Sequence, residues 1–213
     1  MDTIAIIEQI AQKAADIPSF ARTAVHEPAV RDEIVRQMIE SDDIRVYYHC
    51  FYVVEQASQA EPALFYPYWD DVAALLNHTN SYHRDFALIL LANLAAVDSF
   101  DRIAQLLPAY LARLNDDKLM TARCCVRNSA KIIRHKPALK EQVLTRLLSL
   151  DSPGPFPHKQ QELLKADVLA VIAATYPVKP IPDREASFIR SAAGSSSPTT
   201  RKRAKELLKQ FDL

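Results

Sequence analysis

Residues 103–132 read IAQLLPAYLARLNDDKLMTARCCVRNSAKI and contain two apolar helical patterns on either side of a polar turn. Before the turn, leucine, isoleucine and tyrosine residues recur at steps of three and four, which is the spacing of an amphipathic helix. After the turn, cysteine and isoleucine residues occupy one side of a second helical pattern. The stretch therefore predicts two helices joined by the short polar run at residues 115–118.

A second stretch, LLNHTNSYHRDFALILLANLAA at residues 75–96, has the same order of leucine-rich helix end, polar turn and apolar helix. Asn93 and Asn128 occupy matching places 35 residues apart, and Asn77 and Asn115 are 38 residues apart. Periods in the high thirties are typical of proteins built from stacked helical hairpins. The two stretches therefore predict a repeat.

The rest of the chain is also predicted to be helical, because alternating strand patterns and Asn-Gly or Asp-Gly hairpin turns are absent from it. Proline-rich segments at residues 151–157 and 176–182 interrupt the helices, since proline lacks the amide proton that a helix interior requires. The predicted helices cover residues 3–15, 28–40, 43–58, 63–77, 82–96, 99–114, 118–134, 137–150, 159–175, 183–193 and 198–211.

These hairpins resemble HEAT repeats. Residues 103–132 have a proline inside the first helix (Pro108), Asn-Asp at its end and then a second helix. Residues 77–95 match the second half of the motif, with Arg84 at the family's customary arginine and Ala87 at its small packing position.

In residues 41–56, Asp43 and Arg45 match the same pattern. In the last predicted helix, Arg201 or Arg203 matches its arginine. The resemblance covers nearly the whole chain. It implies an all-α, right-handed superhelix (solenoid) of about five HEAT-like hairpins, which form a single domain over residues 1–213, because each hairpin needs its neighbours to bury an apolar face.

Composition excludes several kinds of site and compartment. Two glycines in 213 residues leave no phosphate-cradling loop and no dinucleotide fingerprint. The most apolar run, residues 86–96, is shorter than the roughly 20 residues of a membrane span. The N-terminus lacks the basic stretch of a signal peptide, and three cysteines indicate a reducing compartment. We expect a cytoplasmic protein without a membrane-bound segment.

Charge is divided unevenly along the chain. Residues 1–116 hold 8 Lys and Arg against 17 Asp and Glu, which gives −9, and residues 117–213 hold 18 against 9, which gives +9. Such asymmetry indicates partners of opposite charge.

The predicted helix at residues 118–134 carries four cations within an arc of about 80°. We call Arg123, Arg127, Lys131 and Arg134 the first basic stripe. Three interpretations are open: a solvated helix face, a groove for an acidic protein segment, or a surface for nucleic-acid phosphates. Arginine forms bidentate contacts with carboxylate and phosphate alike, whereas the zero net charge disfavours nucleic acid.

Along the last predicted helix, Arg201, Lys205 and Lys209 lie on one face, with Lys202 beside them. We call these four residues the second basic stripe. In HEAT repeats the second helix of each hairpin lines the concave surface, so the resemblance implies that both stripes face a groove. The predicted binding residues are Arg123, Arg127, Lys131, Arg134, Arg201 and Lys205.

Metal and catalytic sites are not predicted. His78 and His83 are five residues apart across a helix boundary, with no second ligand pair nearby in the sequence. Cys50 and His49 are sequence neighbours and diverge by about 100° on a helix, so they cannot act together. The remaining combination considered for nucleophilic catalysis is His135 with one of the adjacent cysteines, Cys124 or Cys125. We predict no cofactor, no metal and no catalytic residue.

The aromatic run FYPYWDD at residues 65–71 places a tryptophan next to carboxylates, which resembles the HEAT-like bacterial alkylpurine DNA glycosylases. Trp69 is predicted on a first, outer helix, so no catalytic position carries over and aromatic packing between hairpins is favoured. The leading hypothesis is a non-catalytic binding module, or scaffold, whose basic C-terminal half accepts an acidic protein segment. The alternative is a nucleic-acid-binding protein similar to those glycosylases.

Overall fold

The structure is a computed structural model that describes residues 3–151 and 154–213. These residues are 79% helical and contain no β-strand, which confirms the predicted all-α class. The chain divides into two compact units, Met1–Phe100 and Asp101–Leu213. The first unit holds 6 Lys and Arg against 15 Asp and Glu, a net −9, and the second holds 20 against 11, a net +9. The charge division of the sequence is therefore also a division between compact units.

In the first unit, α4 is the central helix and packs against α2, α3 and α7. Its buried face carries aromatic, valine and alanine side chains, so the core of the unit surrounds this helix. Short 3-10 segments at Tyr66–Tyr68 and Leu75–Asn77 follow α5 and α6. The helices are α1 (Thr3–Ile10), α2 (Ile17–His26), α3 (Pro28–Glu40), α4 (Ile44–Ala60), α5 (Pro62–Phe65), α6 (Trp69–Ala74) and α7 (Ser81–Leu94).

In the second unit, α11 is central and packs against α9 and α13. Pro108 lies inside α8, as the sequence predicts. The 3-10 segments are Arg113–Asn115, Pro137–Leu139 and Ser149–Asp151. The helices are α8 (Arg102–Ala112), α9 (Leu119–His135), α10 (Lys140–Leu148), α11 (His158–Thr175), α12 (Asp183–Ala192) and α13 (Pro198–Phe211).

The predicted helix at residues 3–15 is wrong in its second half, and α2 was not predicted. Helix α1 ends at Ile10, and α2 begins at Ile17. The carboxylate of Asp16 accepts a hydrogen bond from the backbone N–H of Ser19 at 3.1 Å and so caps the new helix. Pro18 lies in its first turn, where proline costs no hydrogen bond.

One arginine contact recurs in both units. Arg31, Arg84 and Arg201 are each the fourth residue of a helix, namely α3, α7 and α13. In each, Nη1 donates to two consecutive carbonyl oxygens shortly before the helix, at 2.7 to 3.2 Å. For Arg31 these carbonyl groups belong to the last turn of α2, where a helix leaves them without intrahelical partners. For Arg84 and Arg201 they belong to the loop before the helix. Of the two arginines offered by the last helix, Arg201 makes this contact.

Candidate ligand-binding surface

Helix α9 presents the first basic stripe on the side opposite its buried face. The turn before it is held by Asp116, whose carboxylate accepts a hydrogen bond from the backbone N–H of Lys118 at 3.0 Å. The thiol of Cys125 donates to the carbonyl oxygen of Tyr110 at 3.3 Å, which fixes α9 against α8. The buried residues of α9 are Thr121, Ala122, Cys125, Val126, Asn128, Ser129, Ile132 and Ile133.

Two arginines of the first basic stripe are paired with a carboxylate inside the unit. Asp167 of α11 accepts from Nε of Arg123 at 2.7 Å and from Nε of Arg127 at 2.9 Å. A longer contact of 3.4 Å joins Nη2 of Arg123 to the same carboxylate. The Asp167 side chain is only 8% exposed. This single carboxylate therefore offsets one of the two positive charges before any ligand arrives.

Sequence patterns did not reveal Asp167, because it lies 44 residues from Arg123 along the chain. The signal that could have found it is a lone aspartate in the middle of the apolar pattern KADVLAVI, at residues 165–172. An aspartate buried at such a position requires a cationic partner.

The other half of the first basic stripe lies near the C-terminal end of α9. Lys131 is half-buried and Arg134 is exposed. Arg134 and Lys140 line a cavity of about 310 Å³ together with Thr175 at the end of α11. Burial lowers the pKa of His135, and the charges of Arg134 and Lys131 lower it further. The last turn of α9 therefore brings Arg134 to the same cavity as Lys140 at the start of α10.

Three members of the second basic stripe lie on the exposed face of α13, namely Lys202, Lys205 and Lys209. The fourth, Arg201, is half-buried, and its Nη1 donates to the two carbonyl oxygens described above. On the opposite face, the hydroxyl of Thr200 donates to the carbonyl oxygen of Glu162 at 2.6 Å and anchors α13 to α11. Within the part of the chain that the structure describes, Lys202, Lys205 and Lys209 make no ion pair or side-chain hydrogen bond. The stripe lines a surface cavity of about 430 Å³, whose residues are Pro198, Arg201, Lys202, Lys205, Glu206 and Lys209.

The histidine pair considered for zinc forms a stacked aromatic contact. The rings of His78 and His83 are 4.3 Å apart between centroids. Burial lowers the pKa of His83, and the neighbouring His78 lowers it further, so the neutral form of His83 is favoured. Over residues 3–151 and 154–213, no group of three or more His, Cys, Asp or Glu residues is placed to hold a metal ion.

The aromatic run at residues 65–71 packs within the first unit. Phe65 and Trp69 are buried, which agrees with the interpretation of this run as packing. The hydroxyl of Tyr66 donates to Asp98 at 2.6 Å, and the hydroxyl of Tyr68 donates to Asp32.

Within residues 3–151 and 154–213, no helix combines the length and the apolar character needed to cross a lipid bilayer.

The three thiols differ in burial, and we expect Cys124 to react first with iodoacetamide. Burial raises the pKa of Cys50 to about 12 and raises the pKa of Cys125 well above its usual value, so both stay protonated near neutral pH. A protonated thiol is a poor nucleophile. Cys124 is only half-buried. Timed labelling followed by peptide mass spectrometry measures the order, and modification of Cys50 before Cys124 would contradict it.

No protein-family model and no curated protein matches this chain. The class that the structure defines is an all-helical protein with an acidic first unit and a basic second unit.

Proposed function

We propose that this chain is a protein-binding module whose second unit takes up an acidic segment of a partner protein on the second basic stripe. The observation that carries the proposal is the exposed face of α13, where three lysines without an ion pair in the described part of the chain line a shallow surface recess. Positive charge held without a neutralising partner is available to an incoming carboxylate. The net charge of +9 on the unit favours the approach of an acidic segment.

The first basic stripe has a smaller part in this proposal. Arg134 adds charge near the end of α9, and Lys131 lies one turn before it. Arg123 and Arg127 already bind Asp167, so a ligand would have to compete with a buried carboxylate for them. Lys205 and its neighbours on α13 therefore contribute most of the affinity.

The proposed building unit of the fold is the HEAT-like hairpin. The recurrence of one arginine contact at the fourth residue of α3, α7 and α13 supports a repeated unit. The proposed compartment is the cytoplasm, which is supported by three cysteines that form no disulfide.

Charge reversal on α13 tests the proposal. Lys205→Glu combined with Lys209→Glu is expected to weaken binding of a labelled glutamate-rich peptide by about 1 to 3 kcal/mol, because two charge-assisted contacts are replaced by repulsion. Fluorescence anisotropy measures the affinity. The matched control is Lys13→Glu with Arg22→Glu, which makes the same charge change at exposed positions of the first unit. Equal losses in both double variants would show a general charge effect and refute a site on α13.

Duplex DNA in the same assay tests the alternative of nucleic-acid binding. A phosphate ligand gives a slope of log affinity against log salt that shrinks by about 0.9 for each contact removed. If the protein binds duplex DNA more tightly than the peptide, and the α13 double variant reduces this slope, the second unit is a nucleic-acid surface. The proposal expects the opposite order of affinities.

A further inference from the structure

The first unit exposes a group of large apolar side chains on α4 and α7. Ile44, Tyr48 and Tyr52 follow one another at intervals of four residues, so they lie along one face of α4. Tyr82, in the first turn of α7, brings its ring to 5.0 Å from the ring of Tyr48. Ile44 is 57% exposed, Tyr52 42% and Tyr82 40%. We call these four residues the tyrosine patch.

Buried aromatic rings support the tyrosine patch from below. Phe51 and Phe86 stack with their ring centroids 4.0 Å apart, and both are buried. The ring of Tyr48 meets Phe86 edge to face at 5.5 Å, and the ring of Tyr52 lies 5.5 Å from Tyr48. The exposed rings are therefore held in place before a ligand binds, which reduces the entropy cost of binding.

The polar groups around the tyrosine patch favour a cation. Burial, the neighbouring tyrosines and the carboxylate of Asp85 raise the pKa of Tyr48 to about 12, so its hydroxyl stays neutral at physiological pH. Asp42 and Asp43 are exposed just before α4, and Arg45 is the basic residue beside them. The whole unit has a net charge of −9. Such a field attracts cationic ligands.

We propose that the tyrosine patch docks an arginine-bearing segment of a partner protein. The planar guanidinium group stacks on tyrosine faces and loses less hydration than an ammonium group does. The hydroxyls of Tyr48, Tyr52 and Tyr82 form no hydrogen bond to any residue that the structure describes, so they remain available to the ligand. Tyrosine is also enriched in protein interfaces. This surface goes beyond the proposed function, since it lies in the other unit and selects the opposite charge.

The test uses the full chain and a labelled twelve-residue peptide of alternating arginine and glycine. Tyr52→Ala with Tyr82→Ala is expected to weaken binding about tenfold, because two exposed cation–π contacts are lost. Tyr52→Phe with Tyr82→Phe keeps the ring faces and stays within about twofold of the wild type. Phe100→Ala removes another highly exposed aromatic ring of the same unit and serves as the matched control, without effect on affinity.

Three results would overturn the proposal. In the first, the alanine double variant binds the arginine peptide as tightly as the wild type does. In the second, a lysine–glycine peptide of equal charge binds as tightly as the arginine peptide does. Either result leaves only the general acidic field. A salt-sensitive dimer in sedimentation velocity without peptide, lost in the alanine double variant, would instead assign the tyrosine patch to a second copy of the chain. The glutamate-rich peptide is expected to bind the alanine double variant as tightly as it binds the wild type. The experiment therefore distinguishes failure of the tyrosine-patch proposal from failure of the proposed α13 site.

Discussion

Replacing Phe86 with alanine is expected to lower the free energy of unfolding of the first unit by about 3 to 5 kcal/mol. Phe86 lies on α7, is 1% exposed and stacks on Phe51 of α4, so its removal opens a cavity where the two helices meet. The surrounding rings are already packed against one another, and they cannot collapse fully into the space. Urea denaturation followed by circular dichroism measures the change.

Phe100 provides the matched control for this substitution. Its side chain is 74% exposed, and the change to alanine removes the same atoms from solvent rather than from the core. A surface substitution of this kind usually changes the free energy of unfolding by less than about 0.5 kcal/mol. Equal losses for Phe86→Ala and Phe100→Ala would contradict the placement of Phe86 in the core.

Replacing Asp167 with alanine is expected to lower the free energy of unfolding of the second unit by about 2 to 3 kcal/mol. The side chain is buried and accepts hydrogen bonds from two arginines, each of which loses its partner when the carboxylate is removed. The loss is smaller than for a fully buried ion pair, because Arg127 is about half exposed and water can solvate it. Chemical denaturation measures the change.

A second variant separates the loss of the ion pair from the loss of packing. Arg123→Met, Arg127→Met and Asp167→Leu together replace the three charged side chains with apolar ones, and this triple variant is expected to recover most of the stability that Asp167→Ala loses. The single variant Asp167→Ala also leaves two arginines without their carboxylate, so it should bind the glutamate-rich peptide more tightly than the wild type does. Unchanged stability of Asp167→Ala would show that the ion pair contributes nothing to the fold.

The all-α class and most of the helices could be predicted from local patterns. The periodicity of apolar residues predicted the helices that the structure shows as α3, α4, α7 and α9, with ends displaced by a few residues. Helix α2 was missed because the prediction relied on apolar spacing, whereas the start of this helix depends on a cap. Asp16 is the capping residue, and Pro18 lies in the first turn. A cap is a local signal, so this error could have been avoided.

The candidate sites were less predictable. The spacing of Arg123 and Arg127 places both on one face of a helix, but nothing in that spacing shows what the face meets. Their partner Asp167 comes from α11, and only the packing of α9 on α11 brings the charges together. Likewise, Tyr82 joins Tyr48 because α7 packs against α4.

The amino-acid sequence by itself determined the helical class, the division of charge and the faces on which cations lie. These properties depend on residue type and on the fixed angle of about 100° between successive residues of a helix. The tertiary structure alone decided which charges are neutralised and which remain available: Arg123 is bound to Asp167, whereas Lys205 is exposed without an ion pair in the described part of the chain. The physical reason is that an ion pair depends on distances between atoms, and residues about 40 positions apart acquire such a distance only when their helices pack.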